Sequence, residues 1–99
     1  MALAGFAPSG YSSITATTTQ QVAALPGGGG ATLLITNMGD GTAVVLLQAG
    51  ATPPSPAINN STGLAILPRA AVPLTVGAND HIVFIGMGAN AQLNLVQGT

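Results

Sequence analysis

Short apolar segments separated by Gly, Pro, Asn and Ser run along most of the chain, and their spacing predicts strands. Residues 91–97 alternate most clearly, because polar side chains separate the apolar Ala91, Leu93 and Leu95. This period of two is that of a strand with one face in the core. No segment repeats its apolar residues at the helical spacing over about ten positions, so we expect almost no helix.

The other apolar segments are bounded by turn residues in the same way. They are residues 14–22, 31–36, 42–48, 64–67, 72–76 and 81–85. Turn signals recur about every 8–12 residues, which is typical of an antiparallel β-sandwich or jelly roll. We therefore predict an all-β fold of about seven or eight short strands. Residues 1–12 are predicted to form an extended N-terminal arm, and residues 13–99 a single β-sandwich domain.

Three local signals refine this prediction. Residues 37–41 combine Asn, Asp and Gly, which tolerate positive φ, so they predict a hairpin turn. Pro73 has no amide hydrogen to donate, so its strand is predicted to lie at a sheet edge or beside a bulge. The glycine run 27–30 lacks the Lys-Ser/Thr that follows a phosphate-binding loop, and we interpret it as a connection that permits close backbone approach.

Two predicted strands, residues 42–48 and 81–85, are apolar on both faces. In a two-layer sandwich the outer face of a strand normally meets water and is polar. Two explanations are open. Either a loop or the N-terminal arm of the same chain covers this second face, or the face packs against a symmetry-related copy.

Charged side chains are almost absent, and this bears on the function of the chain. Of 99 residues only Asp40, Asp80 and Arg69 carry a formal charge, and the net charge is −1. A free soluble domain usually covers about 25–35% of its surface with charged side chains. Little electrostatic repulsion therefore opposes association, which favours a structural protein that works while assembled with other protein. A single Arg also excludes a basic patch for nucleic acid, and no apolar run reaches the ~20 residues of a membrane-spanning helix.

Candidate chemistry is sparse. His81 follows Asp80, but neighbours on a strand point to opposite faces, so we expect no catalytic dyad. No G-x-S-x-G motif accompanies them, and the spacing of the acidic residues does not suggest metal ligands. Cysteine is absent, which excludes disulfides and thiolate metal sites. We therefore predict that the chain is not an enzyme and uses no cofactor or metal.

Arg69 is the only cationic side chain apart from the single His. It can be a solvated loop residue, or it can reach a carboxylate or backbone carbonyls on a partner, as Arg commonly does at interfaces. We keep it as a candidate assembly contact.

Residues 15–36 and 74–99 carry a resemblance to a known class of proteins. They include the run TATTTQQVAALPGGGGATLLIT and the close DHIVFIGMGANAQLNLVQGT, and together they cover about half the chain. This pattern resembles small structural proteins of tailed bacteriophages, which are short, nearly uncharged β-proteins. Such proteins serve as capsid decoration (cement) proteins or as related head components.

The resemblance implies a role on the virion. It implies a sandwich or jelly-roll subunit, often trimeric although a dimer is also possible, that is made in the host cytoplasm and seated on the capsid exterior. There it would bridge neighbouring major capsid proteins and stabilise the shell. On this interpretation Phe6 and Tyr11, the large side chains of the N-terminal arm, are candidate docking contacts on the capsid or on an adjacent subunit.

A second function class was weighed against this one. A glycan- or host-binding jelly-roll module of a phage fibre or tail would have a similar fold. Carbohydrate sites usually present aromatic faces beside several polar side chains. With one Tyr and no Trp, the sequence fits that class less well.

Overall fold

Eight β-strands account for about half of the residues that the computed structural model describes, which are 8–27, 30–88 and 90–99. The strands are β1 (Pro8–Ala16), β2 (Gln21–Ala24), β3 (Thr32–Asn37), β4 (Ala43–Gln48), β5 (Leu64–Ile66), β6 (Ala71–Thr75), β7 (His81–Gly86) and β8 (Ala91–Gly98). No helix occurs in the described ranges. The predicted all-β class is confirmed.

The strands form two four-stranded antiparallel sheets. Sheet A has the order β1-β8-β3-β6, and sheet B has the order β2-β7-β4-β5. The first strand thus pairs with the last, β2 with β7, β3 with β6, and β4 with β5. This nested pairing is what results when one long hairpin wraps around a core, and it is the strand order of a jelly roll.

The core lies between the two sheets and is built from aliphatic side chains. Leu33 and Ile35 of β3 and Leu93 and Leu95 of β8 have no exposed surface. Phe84 of β7 faces them from sheet B and is also buried. The alternation predicted for residues 91–97 is confirmed, because Ala91, Leu93 and Leu95 all point inward.

Two segments differ from the predicted boundaries. The apolar run 14–22 contains a turn between β1 and β2, where the Thr17 hydroxyl accepts a hydrogen bond from the Thr19 amide at 3.3 Å. Such local bonds let Thr compete with strand pairing. Residues 8–12, which composition assigns to an extended arm, belong to β1 and pair with β8. Residues 1–7, including Phe6, lie outside the described residues.

Two buried amides hold the connections that were predicted from turn residues. The Asn37 Nδ2 donates to the carbonyls of Gly41 at 2.8 Å and Ile66 at 3.0 Å, which fixes the turn after β3. The predicted hairpin is wrong, because this turn leads from β3 in sheet A to β4 in sheet B and the two strands do not pair. The Gln97 Nε2 donates to the Gly30 carbonyl at 2.7 Å. A side chain at Gly30 would collide with the backbone of Gly98, so the close approach expected of the glycine run is made to β8 of the same chain.

Pro73 lies on β6, an edge strand of sheet A, which confirms its predicted position. The backbone bonds explain why a proline fits there. Val76 donates to Ala31 at 2.8 Å and Asn37 to Ala70 at 2.9 Å, so the even-numbered residues of β6 pair with β3. The backbone of Pro73 therefore points away from the sheet, and its missing N–H removes no bond from the ladder.

Candidate assembly surfaces

The charged side chains lie at the two ends of the sandwich and each is engaged within the chain. Arg69 and Asp40 occupy the end formed by the turns after β1, β3, β5 and β7, which we call the turn end. The Arg69 guanidinium approaches the Asp40 carboxylate at 3.4 Å, with both side chains exposed. An exposed pair of this kind contributes little to stability. Its two charges largely cancel as seen from a distance.

Asp80 and His81 form a second pair at the opposite end. The His81 Nδ1 lies 2.7 Å from the Asp80 Oδ1, and the Gly50 amide donates to the same oxygen at 2.8 Å. The hydrogen bonds from His81 and then from Gly50 lower the pKa of Asp80. The expectation that the two side chains diverge is wrong, because Asp80 precedes β7 and is not subject to strand alternation. The hydrogen bond from the Gly50 amide to the Asp80 carboxylate joins the turn before β7 to the segment after β4.

No cluster of titratable groups stands apart from these two pairs. Within the described ranges no three His, Cys, Asp or Glu side chains lie close enough to hold a metal ion. Over the same residues, no helix is long and apolar enough to cross a membrane. Among the described residues, the surfaces that remain are apolar or neutral.

The outer face of sheet A, which we call the open face, bears no charged side chain. One apolar row crosses all four strands, since each member pairs with the next: Tyr11, Val96, Leu34 and Pro73. The adjacent row is small and neutral: Ser13, Asn94, Thr36 and Ala71. On the far side of that row the Thr15 hydroxyl donates to the Gln92 Oε1 at 3.0 Å. Tyr11, at the β1 end of the apolar row, is 71% exposed.

The outer face of sheet B is instead covered by the connection between β4 and β5. Ile58 of that connection is only 4% exposed and packs with Val44 and Val83. Gln20 holds the connection in place: its Nε2 donates to the Pro54 carbonyl at 3.0 Å, and its Oε1 accepts from the Ile58 amide at 2.6 Å. Of the two explanations for strands that are apolar on both faces, a covering loop of the same chain is observed over Val44 and Val83, whereas Leu46 on the same face of β4 is 37% exposed.

The turn end presents exposed apolar side chains beside the Arg69–Asp40 pair. Met38, Leu67 and Met87 are 60%, 60% and 45% exposed. The turns that carry the two Met residues are hydrogen-bonded to neighbouring segments. The Met38 amide donates to the Gln92 carbonyl, and the Met87 amide donates to the Thr42 carbonyl. Exposed Met side chains adapt readily to a partner surface. Arg69 lies at the same end, so the predicted assembly contact has apolar neighbours.

A groove of about 440 Å³ opens beside the short strand β5. Apolar residues and neutral polar residues line it: Val45, Leu46, Leu47, Ser61, Thr62, Gly63, Leu64, Leu74, Thr75 and Asn79. None of these is aromatic or charged. The groove is also remote from Tyr11, because Tyr11 lies on β1, at the opposite edge of sheet A from β6.

The predicted contacts are therefore spread over the molecule. Tyr11 lies on the open face, Arg69 at the turn end, and Phe6 outside the described residues. Sequence reasoning missed Met38, Leu67 and Met87. Each is a large apolar residue within or beside a turn signal, and that combination, which is visible in the sequence, could have indicated exposed apolar side chains at the turn end.

Comparison of the chain with protein-family models, with curated proteins and with solved structures finds no match.

Proposed function

We propose that this chain is a structural virion protein that binds the outer surface of a bacteriophage capsid and stabilises the shell by bridging major capsid subunits. The observation that carries the proposal is the absence of charged side chains from both faces of the sandwich. All three formal charges sit at the ends, paired within the chain. Such faces suit contact with protein rather than permanent exposure to water.

The placement of the open face and of the turn end supports a bridging role. They are separate surfaces, so on this proposal one subunit contacts two neighbours at once. The outer face of sheet B carries the connection after β4 and is the side that would face solvent. Bridging requires two separate contact areas, and the open face and the turn end are the two that we propose.

The energetics of a capsid lattice also fit small contact areas. Each contact of a 9.6 kDa chain is limited in size. Simultaneous engagement of several sites multiplies affinity by about 10²–10⁴ without any new contact. A weak single contact is therefore sufficient when a homo-oligomer binds a repeating surface.

The glycan-binding alternative is less well supported. A carbohydrate site combines an aromatic face with a polar recess. Among the described residues the exposed aromatic side chain is Tyr11, which lies on the open face, whereas the groove beside β5 has no aromatic lining. The two features are on different parts of the molecule.

Copy number tests the proposal most directly. Quantitative mass spectrometry of purified virus particles should find the chain in numbers comparable to the major capsid protein. A few copies per particle would place it in the tail, portal or a fibre and would contradict a shell-wide role. Absence from the particles would overturn the virion assignment.

A pair of charge insertions tests which face makes the contact. Gln92→Lys places a cation at an exposed position of the open face, and Ala57→Lys places one at an exposed position of the covering connection. We expect the Gln92→Lys variant to bind isolated capsids at least about tenfold more weakly and the Ala57→Lys variant to bind normally. Equal binding by both would exclude the open face as the contact.

A further inference from the structure

The four edge strands of the sandwich differ in how they are protected against pairing with another chain. Natural edges are usually short, or carry a charge, a proline or a bulge. In this molecule β5 has three residues and β2 has four, while β6 carries Pro73 with its backbone facing outward. The strand β1 has nine residues and no charged side chain, and its only proline is its first residue.

The edge of β1 is interrupted near its start. The register with β8 shifts between Pro8 and Gly10, which indicates a bulge at Ser9. From Gly10 to Ala16 the pairing with β8 is unbroken. The regular edge that remains therefore covers residues 10–16.

The hydrogen-bond pattern shows which backbone groups this edge presents. The Met38 amide donates to the Gln92 carbonyl at 2.7 Å, extending the β3·β8 ladder. Even-numbered residues of β8 therefore bond to β3 and odd-numbered ones to β1. Because Ile14 pairs with Leu93, the even-numbered residues of β1 bond to β8. The N–H and C=O groups of the intervening residues point away from the sheet: Tyr11, Ser13 and Thr15.

We infer that this edge pairs with the same edge of a second copy, antiparallel and about a two-fold axis at Ser13. In that register Ser13 faces its own counterpart, and Tyr11 faces Thr15 of the second copy. The N–H and C=O groups of Tyr11, Ser13 and Thr15 from both chains are then satisfied. The two A sheets become one eight-stranded sheet with a continuous open face.

The chemistry of the edge favours a second copy as the occupant. A two-fold interface must be complementary to itself, so any charge on the axis would meet its like. Ser13 is small, exposed and neutral, and its neighbours Ser12 and Ile14 are neutral too. Ile14 packs against the core but is only partly buried, so pairing at this edge would cover it further. A three-fold axis cannot relate one edge to itself, so the inference requires a dimer rather than the trimer that the resemblance implies.

The inference does not depend on the virion proposal and is tested on the purified chain. Size-exclusion chromatography with light scattering should give twice the chain mass of 9.6 kDa for the wild type. Ser13→Lys and Ser13→Glu should each raise the dimer dissociation constant by about a hundredfold or more, since like charges then meet on the axis. An equimolar mixture of the two variants should restore a dimer. Thr75→Lys, at an exposed outward position of the β6 edge, is the matched control and should remain dimeric.

Amide hydrogen exchange makes the test independent of how well the variants fold. In the wild type the amides of Tyr11, Ser13 and Thr15 should be protected, and in Ser13→Lys they should exchange freely. Those of Ser12 and Ile14 should stay protected in both, because they bond to β8. A monomeric or trimeric wild type, a dimer that Ser13→Lys leaves intact, or a failure of the mixed variants to pair would overturn the inference.

Discussion

The outer faces of both sheets carry apolar side chains, but the two faces differ in what packs on them. Sheet B presents apolar side chains on its outer side, including Val44 and Val83, and the connection after β4 covers them through Ile58. Sheet A presents one apolar row among Ser, Thr, Asn and Gln side chains and is left exposed. In a chain with almost no charge, a segment of the same chain packs on one face, whereas the described residues leave the other face uncovered.

The two faces also differ in the hydrogen-bond partners of their polar side chains. The covering connection is held by the Gln20 side chain, which bonds to both ends of the segment 54–58. On the open face the corresponding polar groups bond to each other, as Thr15 does to Gln92, and remain exposed. Substitutions on the covered face should therefore change folding stability, whereas substitutions on the open face should change binding.

The largest effect is expected at Ile58. Ile58→Ala removes a buried side chain that seals sheet B, so the free energy of unfolding should fall by about 2–5 kcal/mol. The matched change on the open face, Leu34→Ala, should cost about 1 kcal/mol, because Leu34 is already partly in contact with water. Urea unfolding monitored by circular dichroism measures both. Equal losses would show that the two faces do not differ in this way.

A smaller effect is expected at Gln20. Gln20→Ala leaves the Pro54 carbonyl and the Ile58 amide without their partner, which should cost about 1–3 kcal/mol. Gln92→Ala removes a glutamine from the open face and should change stability by about 0.5 kcal/mol or less. The same unfolding experiment compares the two variants. If both glutamines prove equally dispensable, Gln20 does not hold the covering connection.

The fold class could be predicted from the sequence because it depends on patterns among residues that are close together along the chain. Alternation in residues 91–97 and Pro73 at an edge each depend on neighbours along the chain, and each is confirmed. Residues 37–41 do form a turn, but the predicted hairpin is wrong, because the sequence of a turn does not show whether the next strand stays in the same sheet. The double-sided apolar pattern of residues 42–48 showed that something covers sheet B. It could not show what, because the cover comes from residues whose position is set by a distant glutamine.

The surfaces were harder to predict for a related reason. Tyr11 was assigned to an arm, although the register with β8 makes it part of the open face. That register is a long-range property, and composition near the terminus does not reveal it. Met38 and Met87 were read only as parts of turns. Their shared position at one end follows from the nested strand order, which no single segment specifies.

Acid should break a hydrogen bond at the start of the covering connection, the one from the Gly50 amide to Asp80. The pKa of Asp80 is lowered by its hydrogen bonds with His81 and Gly50. Its stabilising contribution is therefore present above the ordinary aspartate pKa of about 4 and is lost as pH falls through the lower, folded-state value. As the pH falls below about 4, the protection factor of the Gly50 amide, which compares its exchange rate with that of an unstructured chain at the same pH, should decrease as the bond to Asp80 breaks. In Asp80→Asn this pH dependence should be reduced, and a Gly50 amide that behaves identically in both proteins would contradict the assignment.

The smallest change in stability, and the clearest change in binding, is expected at Tyr11 on the open face. Tyr11→Thr keeps a strand-forming residue and removes the most exposed large side chain, so the free energy of unfolding should change by about 0.5 kcal/mol or less. Binding to isolated capsids should weaken by about tenfold, because buried aromatic side chains contribute strongly to interfaces. Ala57→Thr, on the covering connection, is the control and should bind as the wild type does. If Tyr11→Thr binds equally well, the capsid contact lies elsewhere, and the turn end with Met38, Leu67 and Met87 becomes the surface to alter next.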